Sequence, residues 1–91
     1  MRLGALVKDA RIKNGLTQKA LARAIGVTLG FINKVETEQA LPGFERALVL
    51  AHVLGIPFDN LWTEVERIKT EVFEQKQRTR KEALLKALTK Q

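Results

Sequence analysis

The 91-residue chain has no cysteine. A disulfide framework and a thiolate zinc site are therefore excluded, and the absence agrees with a reducing compartment. No apolar run is long enough to span a bilayer, and Met1-Arg2-Leu3-Gly4 lacks the apolar core of a signal peptide, so a cytoplasmic protein is expected. Strict period-two alternation is missing, which argues against strands, and no internal repeat is visible. The only histidine, His52, has no second ligand or nucleophilic partner at usable spacing. No phosphate-cradling glycine loop, Ser/His/Asp set or carboxylate cluster occurs. An enzyme, a metal and a cofactor are not expected.

What is present is basic charge in blocks. The net charge is +6. Residues 1–57 hold eight Lys/Arg against four Asp/Glu, residues 58–74 two against five, and residues 75–91 six against one. Basic segments of this kind favour polyanions, nucleic acid first among them. Hydrophobic residues make up 45% of the chain, ordinary for a folded globule. A domain this small is marginally stable, and oligomerisation is a natural remedy.

Glycine and proline divide the first two thirds into short segments, each with a helical apolar period. Leu3, Leu6, Val7, Ala10 and Ile12 form the first stripe, ended by Asn14-Gly15. Thr17 is the expected N-cap of a second helix with Leu21, Ala22 and Ile25 inside, stopped by Gly26. Thr28 caps a third, with Ile32 and Val35 inside. Pro42-Gly43 opens a fourth, with Phe44, Ala47, Leu48, Ala51 and Leu54 inside and Gly55 at its end. Pro57 suits the start of a fifth, where its missing N–H is not needed.

From Phe58 the apolar residues Phe58, Leu61, Val65, Ile68 and Val72 are spaced 3, 4, 3, 4, an a/d seam of about two heptads. Leu61, Val65, Ile68 and Val72 are the candidate dimerisation residues; the alternative is that this face packs back on the domain. The seam fails in the basic run 74–82, which carries good helix formers. An apolar patch follows at Ala83, Leu84, Leu85, Ala87 and Leu88.

The stretch Thr17 to Glu36 has the architecture of a helix-turn-helix. Ala22 must be small where two helices cross, Gly26 supplies the left-handed residue of the turn, and Leu21, Ile25, Val27, Ile32 and Val35 fix the interhelical angle. The second helix can then protrude into a major groove.

Over residues 3–62 the chain resembles the Cro/cI-repressor (xenobiotic-response-element) family. The resemblance is carried by Ala10-Arg11, Gly15-Leu16-Thr17-Gln18, Leu21-Ala22, Gly26-Val27-Thr28, Ile32-Asn33-Lys34-Val35-Glu36, Pro42, and Ala51 with Leu54-Gly55-Ile56. It implies an all-α, five-helix, lambda-repressor-like DNA-binding domain over 1–62, followed by a C-terminal helical extension over 58–91. It also implies binding of double-stranded palindromic operators as a homodimer. The family pattern places Gln18 against a phosphate and Thr28, Leu29, Gly30, Asn33 and Lys34 on the exposed face of the recognition helix. Asn33 suits adenine N6/N7, Lys34 a guanine or phosphate, and Leu29 a thymine methyl. Gly30 lets the backbone approach the duplex, with Lys19 and Arg23 as flanking phosphate contacts. Arg11 and Glu36 match a structural salt bridge of the family.

Two departures stand out. Where relatives often carry Asn-Gly or Arg-Gly and basic residues, this chain has Thr37-Glu38-Gln39-Ala40-Leu41, and Glu38 would repel phosphate if it faced the duplex. Ala20 stands where many relatives have the Glu of a capping box with Thr17. The leading expectation is a homodimeric repressor. The rivals are an antitoxin whose tail 74–91 folds on a protein partner and a protein-interaction adaptor that reads no DNA.

Overall fold

The computed structural model describes residues 2–89; Met1, Lys90 and Gln91 lie outside the described residues. Five helices follow one another: α1 Leu3–Lys13, α2 Gln18–Ile25, α3 Leu29–Glu36, α4 Phe44–Leu54 and α5 Phe58–Thr89. No strand occurs among the described residues. The helix ends have local causes. Thr17 Oγ1 accepts from Ala20 N at 3.0 Å and Thr28 Oγ1 from Phe31 N at 3.1 Å, so α2 and α3 both start on a hydroxyl cap. Gly26, at φ 74°, reverses the chain after α2, and its place in the turn requires a residue without a Cβ penalty.

One core joins α1 to α4 with the start of α5. Leu3, Val7, Leu21, Ile32, Val35, Leu50, Leu61 and Val65 have no exposed surface. Each large side chain hidden in this way contributes about 1.5–3 kcal/mol. α1 and α2 both pack on α3, while α4 and α5 close the other side. Asn14 pins α1 to α4: its Nδ2 donates to Ala10 O at 2.7 Å and to Leu54 O at 3.1 Å.

Three apolar assignments are corrected. Ile12 is exposed, because two residues beyond Ala10 turn it about 200° round the helix, off the buried stripe. In α4, Phe44 and Leu48 are exposed and Leu50 is buried instead. Apolar residues occupy so much of the circumference of α4 that period alone cannot choose the inward arc.

The expected dimer seam divides. Leu61 and Val65 are fully buried under α1 and α4 of their own chain, and Ile68 is half-buried against the same core. Of the four candidate residues only Val72 is exposed. An a/d stripe is also the stripe a globular helix turns to its own core, and two of its layers are used that way here. Beyond Ile68 every described residue of α5 is exposed, yet the helix continues to Thr89. Neither glycine nor proline interrupts it.

Candidate nucleic-acid interface

Both helices of the helix-turn-helix carry exposed residues beside their buried ones. In α3, Phe31, Ile32 and Val35 face inward; Ile32 and Val35 are fully buried and Phe31 is half-buried, with the Arg46 guanidinium 4.8 Å from its ring centroid. Leu29, Gly30, Asn33 and Lys34 occupy the opposite arc, about 140° wide at about 100° per residue, and all four are exposed, as is Thr28 at the cap. On α2, Lys19 and Arg23 are one turn apart and exposed. Neither α2 nor α3 has an acidic residue in its first turn. Their N-terminal partial positive charges are therefore unopposed by their own side chains.

Gly30 is unusual in this surface. An ideal Cβ there would meet nothing nearer than Thr28 Oγ1 at 3.9 Å. Glycine inside a helix costs about 1 kcal/mol relative to alanine, and no contact within the chain requires it.

A buried ionic knot holds α3 in position. Arg11 Nε donates to Glu36 Oε2 at 2.7 Å and Nη2 to Oε1 at 3.1 Å, while Nη1 donates to Leu16 O at 2.9 Å. The two side chains are only 11% and 4% exposed. Gln18 Nε2 completes the knot, donating to Glu36 Oε1 at 3.1 Å. Glu36 thus receives α1 through Arg11 and α2 through Gln18. The carboxylate accepts only, so the amide nitrogen of Gln18 must point to it. The resemblance implies that Gln18 contacts a phosphate; one N–H of its amide is given to Glu36, and that bond leaves the second N–H of the same group unused.

Glu38 turns away from the exposed arc. Its carboxylate lies 3.5 Å from Arg2 Nε, and its side chain is three-quarters buried against the start of α1. Its backbone is left-handed, φ 61°, the one such non-glycine residue among those described. Sequence reasoning missed Gly4. A Cβ built there would lie 2.1 Å from Glu36 O, so α1 can approach the end of α3 only over a bare backbone. The available signal was a glycine inside an apolar helical stripe with no turn to make. The Gln18–Glu36 bond was also missed, and so was Glu64, buried in α5 with Arg67 as its partner. The last two depend on side-chain directions that spacing does not encode.

Among the described residues no helix is long and apolar enough to cross a membrane, and no group of three His, Asp or Glu residues could hold a metal ion. The family model described as helix-turn-helix matches residues 7–61. A propionyl-CoA carboxylase regulator of Cereibacter sphaeroides is 36% identical over 72 residues, which make up 78% of this chain but 16% of that protein. This chain therefore spans a small part of that relative's length. The clp gene regulator ClgR of Corynebacterium glutamicum shares the fold, with a TM-score of 0.61 at 24% identity over 86% of this chain and 83% of that one. PlcR of Bacillus thuringiensis, solved with the peptide PapR7 and DNA, gives a TM-score of 0.62 at 27% identity, covering 76% of this chain and 26% of that one. With the family match spanning more than half of its residues, the chain belongs to the Cro/cI (XRE) helix-turn-helix family, whose fold is that of DNA-binding regulators and not of enzymes.

Proposed function

We propose that this chain is a transcriptional repressor that binds a palindromic operator as a homodimer, with α3 in the major groove. The observation that carries the reading is the exposed arc Leu29, Gly30, Asn33 and Lys34 over the buried Ile32 and Val35. Asn33 pairs with adenine, Lys34 with guanine or a phosphate, and Leu29 and Thr28 meet thymine methyl or backbone. Gly30 carries a helix cost with no return inside the chain, and a closely approaching duplex backbone supplies the return. Lys19 and Arg23 neutralise phosphates beside the groove, and the α2 and α3 N-termini assist them. Gln18 acts by holding Glu36, which fixes the angle at which α3 enters. Two-fold symmetry sets the half-sites about one helical turn, ~34 Å, apart. Repression then follows from occupancy, because a dimer spanning two half-sites blocks that stretch of duplex to other proteins.

Selection of bound sites from a random duplex library, at about physiological salt, tests the reading. Enrichment of an inverted repeat is the expected result. General, salt-sensitive binding without enrichment would overturn sequence reading and favour the adaptor or the antitoxin, the latter marked by a co-purifying small protein.

A further inference from the structure

α5 beyond Ile68 is a helix of about 21 residues with every described side chain exposed. Three of its five exposed large apolar residues line one arc, while Val72 and Leu85 lie about 100° and 120° round the helix from Phe73. Phe73 is 61% exposed, Leu84 60% and Leu88 61%. They share one face with Trp62 and Phe58, since eleven residues make three turns plus about 20°. At the domain end of this face Phe44, Phe58 and Trp62 form an aromatic cluster, with ring centroids 5.4 to 5.7 Å apart. Phe44 is 55% exposed. The pattern is symmetric about Phe73: Trp62 and Leu84 lie eleven residues to either side, and Phe58 and Leu88 lie fifteen.

The charges have the complementary antisymmetry. Residues 58–74 hold five acidic against two basic residues, and residues 75–91 hold six basic against one acidic. Glu66 and Arg80 lie seven residues to either side of Phe73 on the same face. Parallel pairing would set the basic segment against itself. Antiparallel pairing sets the acidic half of each helix against the basic half of the other.

The geometry points to a second copy of this chain as the occupant of this face, with the two α5 helices antiparallel and the two-fold axis at Phe73. This rests on the homodimer reading above and names the surface that makes the dimer. Phe73 meets the partner's Phe73. Leu84 and Leu88 of each copy cover the Phe44, Phe58 and Trp62 cluster of the other, and Glu66 faces the partner's Arg80. The two Trp62 positions then stand 22 residues apart along the helices, about 33 Å at 1.5 Å per residue, close to one turn of DNA.

Two exposed positions test the pairing in the full-length chain, which has no cysteine of its own. A mixture of Glu66→Cys and Arg80→Cys proteins is expected to form the mixed disulfide under mild oxidation, while Arg80→Cys alone does not link. Linking of Arg80→Cys to itself at a comparable rate would show parallel helices and overturn the proposal. So would absence of the mixed disulfide in a chain that sediments as a monomer at micromolar concentration. Independently, Arg80→Glu is expected to weaken dimerisation about tenfold by sedimentation equilibrium, and the double variant Glu66→Arg, Arg80→Glu to restore it. Failure of that restoration would also overturn the pairing. The operator reading fails separately. An inverted repeat selected by a chain that gives no mixed disulfide sinks this surface and leaves the operator standing. A mixed disulfide without any enriched sequence does the reverse.

Discussion

From α1 to the third turn of α5, each helix buries a stripe on its neighbours; beyond Ile68 the same α5 buries nothing in its own chain. The two regions are helical for different reasons. α2 and α3 are only eight residues each, too short to persist alone. They are held by hydroxyl caps, a left-handed glycine and the core. Residues 69–89 have no such support. They have good helix formers, no glycine or proline, and opposite charges four apart at Glu74–Arg78 and Glu82–Lys86. Short packed helices set angles, and the angle of α3 is what a groove reader needs. A long unpacked helix sets a distance.

Removing a charge separates the regions most sharply. Glu36→Ala leaves Arg11 buried without its partner and detaches Gln18, and is expected to cost about 3–5 kcal/mol, with a large fall in Tm by calorimetry. Glu71→Ala, the same change on the exposed part of α5, should change stability by less than about 0.5 kcal/mol. Equal effects would mean that the Arg11 knot contributes no more than a surface charge. Next in size is Gly4→Ala. Its Cβ would overlap Glu36 O, and the helices must part to admit it, at about 1–3 kcal/mol. Urea denaturation measures this; an unchanged midpoint would contradict the close approach of α1 and α3.

The packed region was largely legible in sequence. Its boundaries are set by residues with local backbone effects, such as Thr17, Gly26, Thr28, Gly55 and Pro57, and the helices begin and end beside them. Inward faces were legible only where apolar residues were sparse. α2 has one narrow stripe and was read correctly, whereas α4 is apolar nearly all round, and Leu50 was exchanged for Phe44 and Leu48. Leu61 and Val65 show a further limit: seam and core share one spacing, and only the positions of α1 and α4 decide between them. The exposed arc of α3 was legible because the motif fixes which residues face inward. The knot at Glu36 was legible for Arg11 through family resemblance, but not for Gln18, which the resemblance placed against a phosphate.

The exposed arc gives an intermediate prediction that separates stability from function. Asn33→Ala and Lys34→Ala remove exposed side chains and should leave Tm nearly unchanged. If either reads a base, it should cost about 1–3 kcal/mol of operator affinity and relax specificity at one position per half-site. Lys19→Ala should instead weaken binding to all sequences alike and lower the salt slope by about one. Titrations of fluorescent duplex at several salt concentrations distinguish the two patterns. An identical, sequence-independent loss for all three variants would show that the arc only holds the phosphate backbone.

The smallest effect has opposite signs in the two regions. Glu38 occupies the left-handed region at φ 61°, where a side chain costs about 1–2 kcal/mol. Its ion pair with Arg2 has one mostly exposed member and returns little of that. Glu38→Gly removes the strain, although it also loosens the unfolded chain, so a net gain of up to about 1 kcal/mol is expected, seen as a rise in Tm of a few degrees. In Gln75→Gly the new glycine enters a right-handed helix that relies on propensity, and it should weaken that helix by about 1 kcal/mol, seen as a loss of far-ultraviolet helical signal with the core melting transition retained. A fall in Tm for Glu38→Gly would mean that the carboxylate packed against α1 outweighs the backbone strain. An unchanged helical signal for Gln75→Gly in a monomeric chain would mean that something other than composition holds the outer half of α5.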